Sequence, residues 1–469
     1  TKNTSEIIIE GPPGYRKSAL KKAQPQYRMK KTAVVLLFWV AGVFQLYAQP
    51  KTLNLWDAVT LGIQSSKQLK LRILEIEQAA SRQQQAKDAS LPSAKVSVGY
   101  NHALMLSQRL YLPSDNGNEP RKLSLPFDNT VYQATLGINQ PIFEGNQLRY
   151  ARQSANLLLQ ISRLNAETDK EEVVFTIIQS YINYYKLRQN QKILVQHIED
   201  TESKLIEIKK FEAQGLATKN DVLRFELEAS KMKLSAIELD NSRKIVNYNL
   251  VILLGLPDST VIEEEGLGYK LGVNESFEHF VELALKDRKE LTALQYQLKL
   301  TGIGIKKTQN EKLPTVSAGG NLYFINPSGN IVPKSGGYLA PFIVGINVGW
   351  DISSLYKNKN KLTESKIQQQ EVAARYDMMQ DQIRTEVNES YRQYKQALEK
   401  ISVLQDAIVQ AAENERIMES KFRNNLATTT DRIDAQTLLY QSRIGLELAK
   451  SDATAAWYSL LKSTGHIEP

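Results

Sequence analysis

Phe211 to Glu226 reads FEAQGLATKNDVLRFE, and Phe422 to Gln436 reads FRNNLATTTDRIDAQ. Each stretch has a chain-reversing turn at Gly215 or Asn424-Asn425, a Leu-Ala-Thr triplet, and an aspartate three residues after the threonine. At an offset of 210, Leu216-Ala217-Thr218 falls on Leu426-Ala427-Thr428, Asp221 on Asp431, Ser180-Tyr181 on Ser390-Tyr391, Tyr184 on Tyr394 and Gly255 on Gly465. Nearer the N-terminus the offset is 222: Leu61 to Leu69 (LGIQSSKQL) matches Leu283 to Leu291 (LALKDRKEL), and Leu91-Pro92 matches Leu313-Pro314. A duplicated unit fixes architecture before any motif is interpreted. The chain therefore divides into an upstream extension with signal peptide (1–48), a first repeat (49–255), a linker (256–276), a second repeat (277–465) and a short tail (466–469). The offset changes by 12 between the Leu-Pro pairs and the following helices, so one half carries a longer loop in the strand region.

Outward from each turn the pattern is helical. About Asn146 to Gln214 and about Lys357 to Asn424 contain no proline, and at 1.5 Å per residue each segment approaches ~100 Å. A heptad through Val173, Ile177, Tyr184, Leu187, Leu194, Ile198, Leu205 and Ile208 is apolar except at Ser180, Gln191 and Thr201, which predicts a coiled-coil seam. The helix after the first turn carries Leu223, Leu227, Leu234, Ile237, Tyr248 and Val251 on one stripe. Ordinary helix packing accounts for such a stripe, which is expected to be core.

Before each long helix the period changes to two. Phe342, Val344, Ile346, Val348, Trp350 and Ile352 alternate with Ile343, Gly345, Asn347, Gly349 and Asp351, and Tyr132, Ala134, Leu136 and Ile138 alternate with Gln133, Thr135, Gly137 and Asn139. Weaker alternation near 94–103 and 315–325 supplies a first strand to each hairpin. A soluble sandwich shows the same alternation. Strands of about eleven residues, however, have the length of a tilted outer-membrane strand, with an apolar face toward lipid and a polar face toward a lumen.

Composition excludes more than it suggests. The 469 residues contain no cysteine and four histidines, so disulfides, thiolate metal sites and cysteine nucleophiles are excluded. His102, His197, His279 and His466 are scattered, and no GxSxG or GxxxxGK[ST] motif occurs, which points to no catalytic, cofactor or metal site. Gly302-Ile303-Gly304 lies in a helical stretch without the third glycine of a dinucleotide fingerprint. Of the net charge of +8, +6 lies in residues 1–48; no phosphate-binding surface for nucleic acid remains. Met29-Lys30-Lys31 followed by apolar Ala33 to Phe44 and by Ala48 predicts a secretory signal peptide, its apolar run being too short for a permanent span.

Together, the duplicated tips, the NQPIFEGN strand exit (Asn139 to Asn146) and the order helix, hairpin, long helix, helix resemble the TolC-like outer-membrane efflux family over nearly all of 53–465. The resemblance implies a mainly α fold with a membrane β-barrel part. Three copies would contribute four strands each to a 12-stranded barrel, continued by an α-helical coiled-coil tunnel through the periplasm. It also implies a non-enzymatic exit duct for a tripartite efflux or type I secretion system, set in outer-membrane lipid and docking a periplasmic adaptor and an inner-membrane pump. The adaptor-docking tips would be Gly215, Leu216, Ala217 and Thr218 with Asn425, Leu426, Ala427 and Thr428. Asp431 and Asp434 fall where members closing with an acidic ring place aspartates, with Asp221 at the first-repeat counterpart; an ordinary acid at a helix N-terminus reads the same way. Two departures stand out: Asn424-Asn425 replaces the usual glycine, and Ala427 replaces a locking arginine of some members. The competing reading is a periplasmic coiled-coil adaptor or scaffold.

Overall fold

The computed structural model describes residues 50–102, 109–112, 121–124, 130–268, 275–327 and 340–467. The expected signal peptide and extension, and the last two residues of the tail, lie outside the described residues. The first repeat runs β1 (Pro50–Leu53), α1 (Leu55–Ser65), α2 (Lys67–Asp88), β2 (Ser93–His102), β3 (Arg109–Leu112), β4 (Arg121–Ser124), β5 (Thr130–Glu144), α3 (Gln147–Ala213) and α4 (Lys219–Leu254). After β6 (Val261–Glu264), the second repeat runs α5 (Phe277–Asp287), α6 (Lys289–Asn310), β7 (Thr315–Pro327), β8 (Phe342–Gly349), α7 (Ser354–Arg423) and α8 (Thr429–Thr464). The repetition extends to helix length: 11 residues for α1 and α5, 22 for α2 and α6, 36 for α4 and α8.

Local chemistry sets these boundaries. Asn54 Oδ1 accepts from Asp57 N at 2.8 Å to start α1, and Ser276 Oγ accepts from His279 N at 3.3 Å to start α5, the side-chain capping that helix N-termini require. α4 and α8 both end on a left-handed glycine, Gly255 (φ 67°) and Gly465 (φ 76°). Residues 256–276, expected to be a linker, include β6, which pairs in parallel with β1. Beneath that pair Tyr181 Oη donates to Leu53 O at 2.7 Å, and Asn247 takes Ile262 N at 3.0 Å and gives Nδ2 to Thr260 O at 2.9 Å. The backbone there is thus satisfied by side chains from α3 and α4.

The two hairpins join into one antiparallel sheet of order β2-β5-β7-β8, with β5 against β7 making the seam between repeats. Its register brings side chains of like character onto one face. Val96, Leu136, Leu322 and Phe342 form one row, and Ala94, Ile138, Gly320 and Val344 the next. Rows on the other face include Lys95, Gly137, Asn321 and Ile343. The apolar face is uncovered in the single chain, with Val98 82% and Ile346 70% exposed. The longer loop falls in the first hairpin, between β2 and β5, where β3 and β4 form an extra two-stranded pair.

Below the sheet the helices pack α3 on α4 and α7 on α8, with α3 also meeting α6 and α8 across the repeats. Of the predicted α3 seam, Val173, Ile177, Tyr184, Leu194 and Ile208 are buried, as is the polar Thr201. The α4 stripe corrects the expectation. Only Val251 of it is core; Leu223, Leu227, Leu234, Ile237 and Tyr248 are exposed, together with Ile245 and Ile252. The face packed on α3 is instead Val222, Phe225, Ala229, Met232, Leu250, Val251 and Leu254. Two apolar seams run along α4, rotated from one another, and a single chain has a partner for only one of them.

Candidate functional site at the helical tips

The far end of the helices is built twice from one piece of local chemistry. α3 stops at Gln214 and α7 at Asn424, each followed by a left-handed residue, Gly215 (φ 72°) and Asn425 (φ 59°). Leu216 N donates to Phe211 O and Leu426 N to Lys421 O, both at 2.8 Å, while Gly215 N reaches Glu212 O at 2.9 Å and Asn425 N reaches Phe422 O at 3.0 Å. These paired bonds satisfy the last helical carbonyls in a Schellman turn. Asn425 thus occupies the glycine position in the second tip, because asparagine is among the few side-chain-bearing residues that tolerate this region.

The next helices start as uniformly. Thr218 Oγ1 accepts from Asp221 N, and Asp221 Oδ2 takes Thr218 N at 2.9 Å; Thr428 and Asp431 repeat this, with Thr428 N to Asp431 Oδ2 at 2.9 Å. Each is a capping box, closed by a short acid in place of the usual Glu or Gln. Asp221 and Asp431 are therefore N3 caps in this chain. The backbone and hydroxyl bonds from Thr428 hold the Asp431 carboxyl below its ordinary pKa. Partial burial pushes Asp221 upward, but bonds from the Thr218 and Thr429 side chains and the Thr218 amide outweigh it and leave the pKa lowered. Asp434 lies about one turn beyond Asp431, exposed on α8. Of the residues expected from the sequence to dock an adaptor, Gly215, Leu216, Thr218, Asn425, Leu426 and Thr428 are exposed, whereas Ala217 and Ala427 are half-buried and Ala217 packs on the tip core. Leu216 and Leu426, 61% and 76% exposed, are the outermost apolar groups of the two turns.

Arg432, which sequence reasoning passed over, joins the two tips. It is 2% exposed, and its Nε and Nη2 grip Glu419 of α7 at 2.7 and 3.0 Å while Nη2 also reaches Glu207 of α3 at 2.6 Å. Its guanidinium lies 4.7 Å from the Phe422 ring centroid and 6.0 Å from that of Phe225. Burial raises Glu419, but the Arg432 charge and hydrogen bonds bring its carboxyl below the usual range. Arg432 Nη1 is buried without a hydrogen-bond partner. The repeat itself carried the signal: at the offset of 210, Arg432 falls on Val222, a fully buried core residue. Lys204 with Glu415 (2.7 Å) and Arg224 with Thr430 add further ties between the repeats.

Among the described residues no cluster of three or more His, Asp or Glu is arranged to hold a metal, and no helix is long and apolar enough to cross a membrane. Gly302 and Gly304 lie within α6. The arrangement of the tips is mechanical and electrostatic.

The sequence profile of the family described as Outer membrane efflux protein matches residues 60–256 and 280–466. The outer membrane efflux protein BepC of Brucella suis is 23% identical over 339 residues, spanning 71% of this chain and 72% of the relative. Among solved structures, the outer membrane protein VceC of Vibrio cholerae superposes with a TM-score of 0.71 at 17% identity, covering 88% of this chain and 96% of the other. The CmeC outer membrane channel of Campylobacter jejuni gives 0.67 at 16%, covering 88% and 87%. The profile matches both halves of the chain, 60–256 and 280–466, so the chain belongs to the outer membrane efflux protein family.

Proposed function

We propose that the protein is the outer-membrane exit duct of a tripartite efflux or type I secretion system. It would conduct substrates passively from an inner-membrane pump across the periplasm and outer membrane, as a homotrimer docked by a periplasmic adaptor. The observation that carries this is the sheet: four antiparallel strands with one continuous, uncovered apolar face and two open edges, β2 and β8. Open edges are not tolerated in lipid, so the strands must close with other copies. Two copies give eight strands, a barrel filled by its own side chains, and three give twelve, which leaves a lumen. The second apolar seam of α4 supports the same reading, since a contiguous exposed stripe of this length marks an interface.

Fractionation should place the protein in the outer membrane, released only by detergent, with a detergent-corrected mass of three chains and ion conductance in planar bilayers. A salt-extractable protein, or a mass of one or two chains, would count against the duct and for a coiled-coil scaffold.

Three-fold symmetry would set Asp431 and Asp434 in stacked rings at the tunnel mouth, six carboxylates that concentrate cations. Because Asp431 also caps α8, Asp434→Asn is the cleaner probe of charge. It should reduce cation selectivity and multivalent-cation block without altering the trimer. The Asp431 carboxyl sits below its ordinary pKa. Its cap therefore contributes fully above about pH 4 and is lost as pH falls through the lowered value. Relief of the block through Asp431 should accordingly appear below about pH 4 and not between pH 7 and 5. Unchanged selectivity in Asp434→Asn would return Asp434 to a solvated role.

A further inference from the structure

From the junctions between strands and helices we infer a binding collar for anionic phospholipid headgroups, encircling the protein where the sheet gives way to the helical body. It rests on the reading that the sheet spans the outer membrane. Four segments meet at this level: 84–92, 144–153, 304–314 and 350–361. Together they hold nine Lys or Arg and four Asp or Glu, a net of +5, although residues 49–469 as a whole carry only +2. Net positive charge is therefore gathered in these segments, and the remainder of 49–469 nets −3.

The register shows that the level is shared. Glu144 pairs with Thr315, and Thr315 with Gly349, so the exit of β5, the start of β7 and the end of β8 lie side by side. Each junction also presents large exposed apolar side chains: Leu91, Ile142, Leu313, and Ile352 with Tyr356. Trp350, itself exposed, donates its indole Nε1 to Lys312 O at 3.0 Å. An apolar and aromatic rim is what the acyl–headgroup boundary selects.

Basic groups stand within about two helical turns (~11 Å) of that rim. Lys306, Lys307, Lys312 and Lys359 are exposed without an ion pair among the described residues, and Lys357 is exposed with its charge acting on the nearby Asp351 carboxylate beyond ion-pair distance. Lys361 is the exception, paired with Glu311 at 3.2 Å. Unpaired ammonium groups beside a lipid-facing apolar rim match an anionic phosphate headgroup in charge and depth. The leaflet concerned is the one facing the helical body.

The test uses purified, detergent-extracted full-length protein titrated with phosphatidylglycerol or phosphatidylcholine, read by retained lipid in native mass spectrometry and by thermal midpoint. The protein should keep several-fold more phosphatidylglycerol than phosphatidylcholine and melt higher with it. The fivefold variant Lys306→Gln, Lys307→Gln, Lys312→Gln, Lys357→Gln, Lys359→Gln should lose that preference while keeping its mass and conductance; Lys231→Gln with Lys233→Gln and Lys244→Gln, on α4, should retain it. Inorganic phosphate raising the midpoint as much as the lipid would mean simple anion binding and overturn the inference. So would equal retention of the two lipids by wild-type protein that inserts and conducts. Protein that fails to insert at all would instead overturn the proposed function.

Discussion

Gly215→Trp should abolish export while trimers and membrane insertion remain at wild-type levels, measured by substrate efflux in cells beside native gel mass and fractionation. Gly215 lies at φ 72° and a Cβ there would meet nothing within 4 Å. A side chain is thus not blocked by neighbours and would project from the turn at which the proposed adaptor would dock. The backbone adds strain, since left-handed geometry costs a residue with a Cβ about 1–2 kcal/mol. Gly215→Asn separates the two effects. Asn425 already holds the same turn in the second tip, so asparagine should preserve both fold and export. If Gly215→Trp exports normally, the tip is not the docking surface.

Arg432→Leu should loosen the tips and raise leak conductance through the resting channel. The substitution removes the cation that Glu207 and Glu419 share and leaves Glu419 only Arg423 at 3.0 Å; the two side chains are 32% and 19% exposed. Stranding a fully buried partner costs about 3–5 kcal/mol; with this much solvent a loss near 2 kcal/mol per chain is expected. Arg432→Lys should rescue little, because one ammonium cannot hold two carboxylates and stack on Phe422 as the planar fork does. A double-mutant cycle with Glu207→Gln should show coupling in the thermal midpoint. Additive midpoints together with unchanged leak would reduce Arg432 to packing. Ala427, where some members of the resembled family carry a locking arginine, stands half-buried; the cation that ties these tips lies five residues later and holds the repeats of one chain together.

Much of this was legible in one dimension because it is written in local periods. Alternation over Phe342 to Gly349, the heptad from Val173 to Ile208 and the twin Leu-Ala-Thr turns each express hydrogen bonding and side-chain direction within a few residues, whereas the expected continuation of that strand to Ile352 is instead the turn into α7. The sequence by itself therefore determined the duplicated order of elements, the strand faces and the reversal at each tip. Which apolar face meets which neighbour is different, because it depends on segments hundreds of residues apart arriving within a few ångströms. The α4 stripe looked like core and is exposed, since α3 covers the other seam. Asp221 and Asp431 were recognisable as helix-start acids, but only their bonds to Thr218 and Thr428 made them caps. Arg432 became a link between repeats, and the Lys and Arg groups of four separate segments the basis of the proposed collar, only when the tertiary fold brought their surroundings together. Local periodicity specifies an element's shape and faces; long-range packing chooses its partners, because burial and charge pairing act between whatever the fold places in contact.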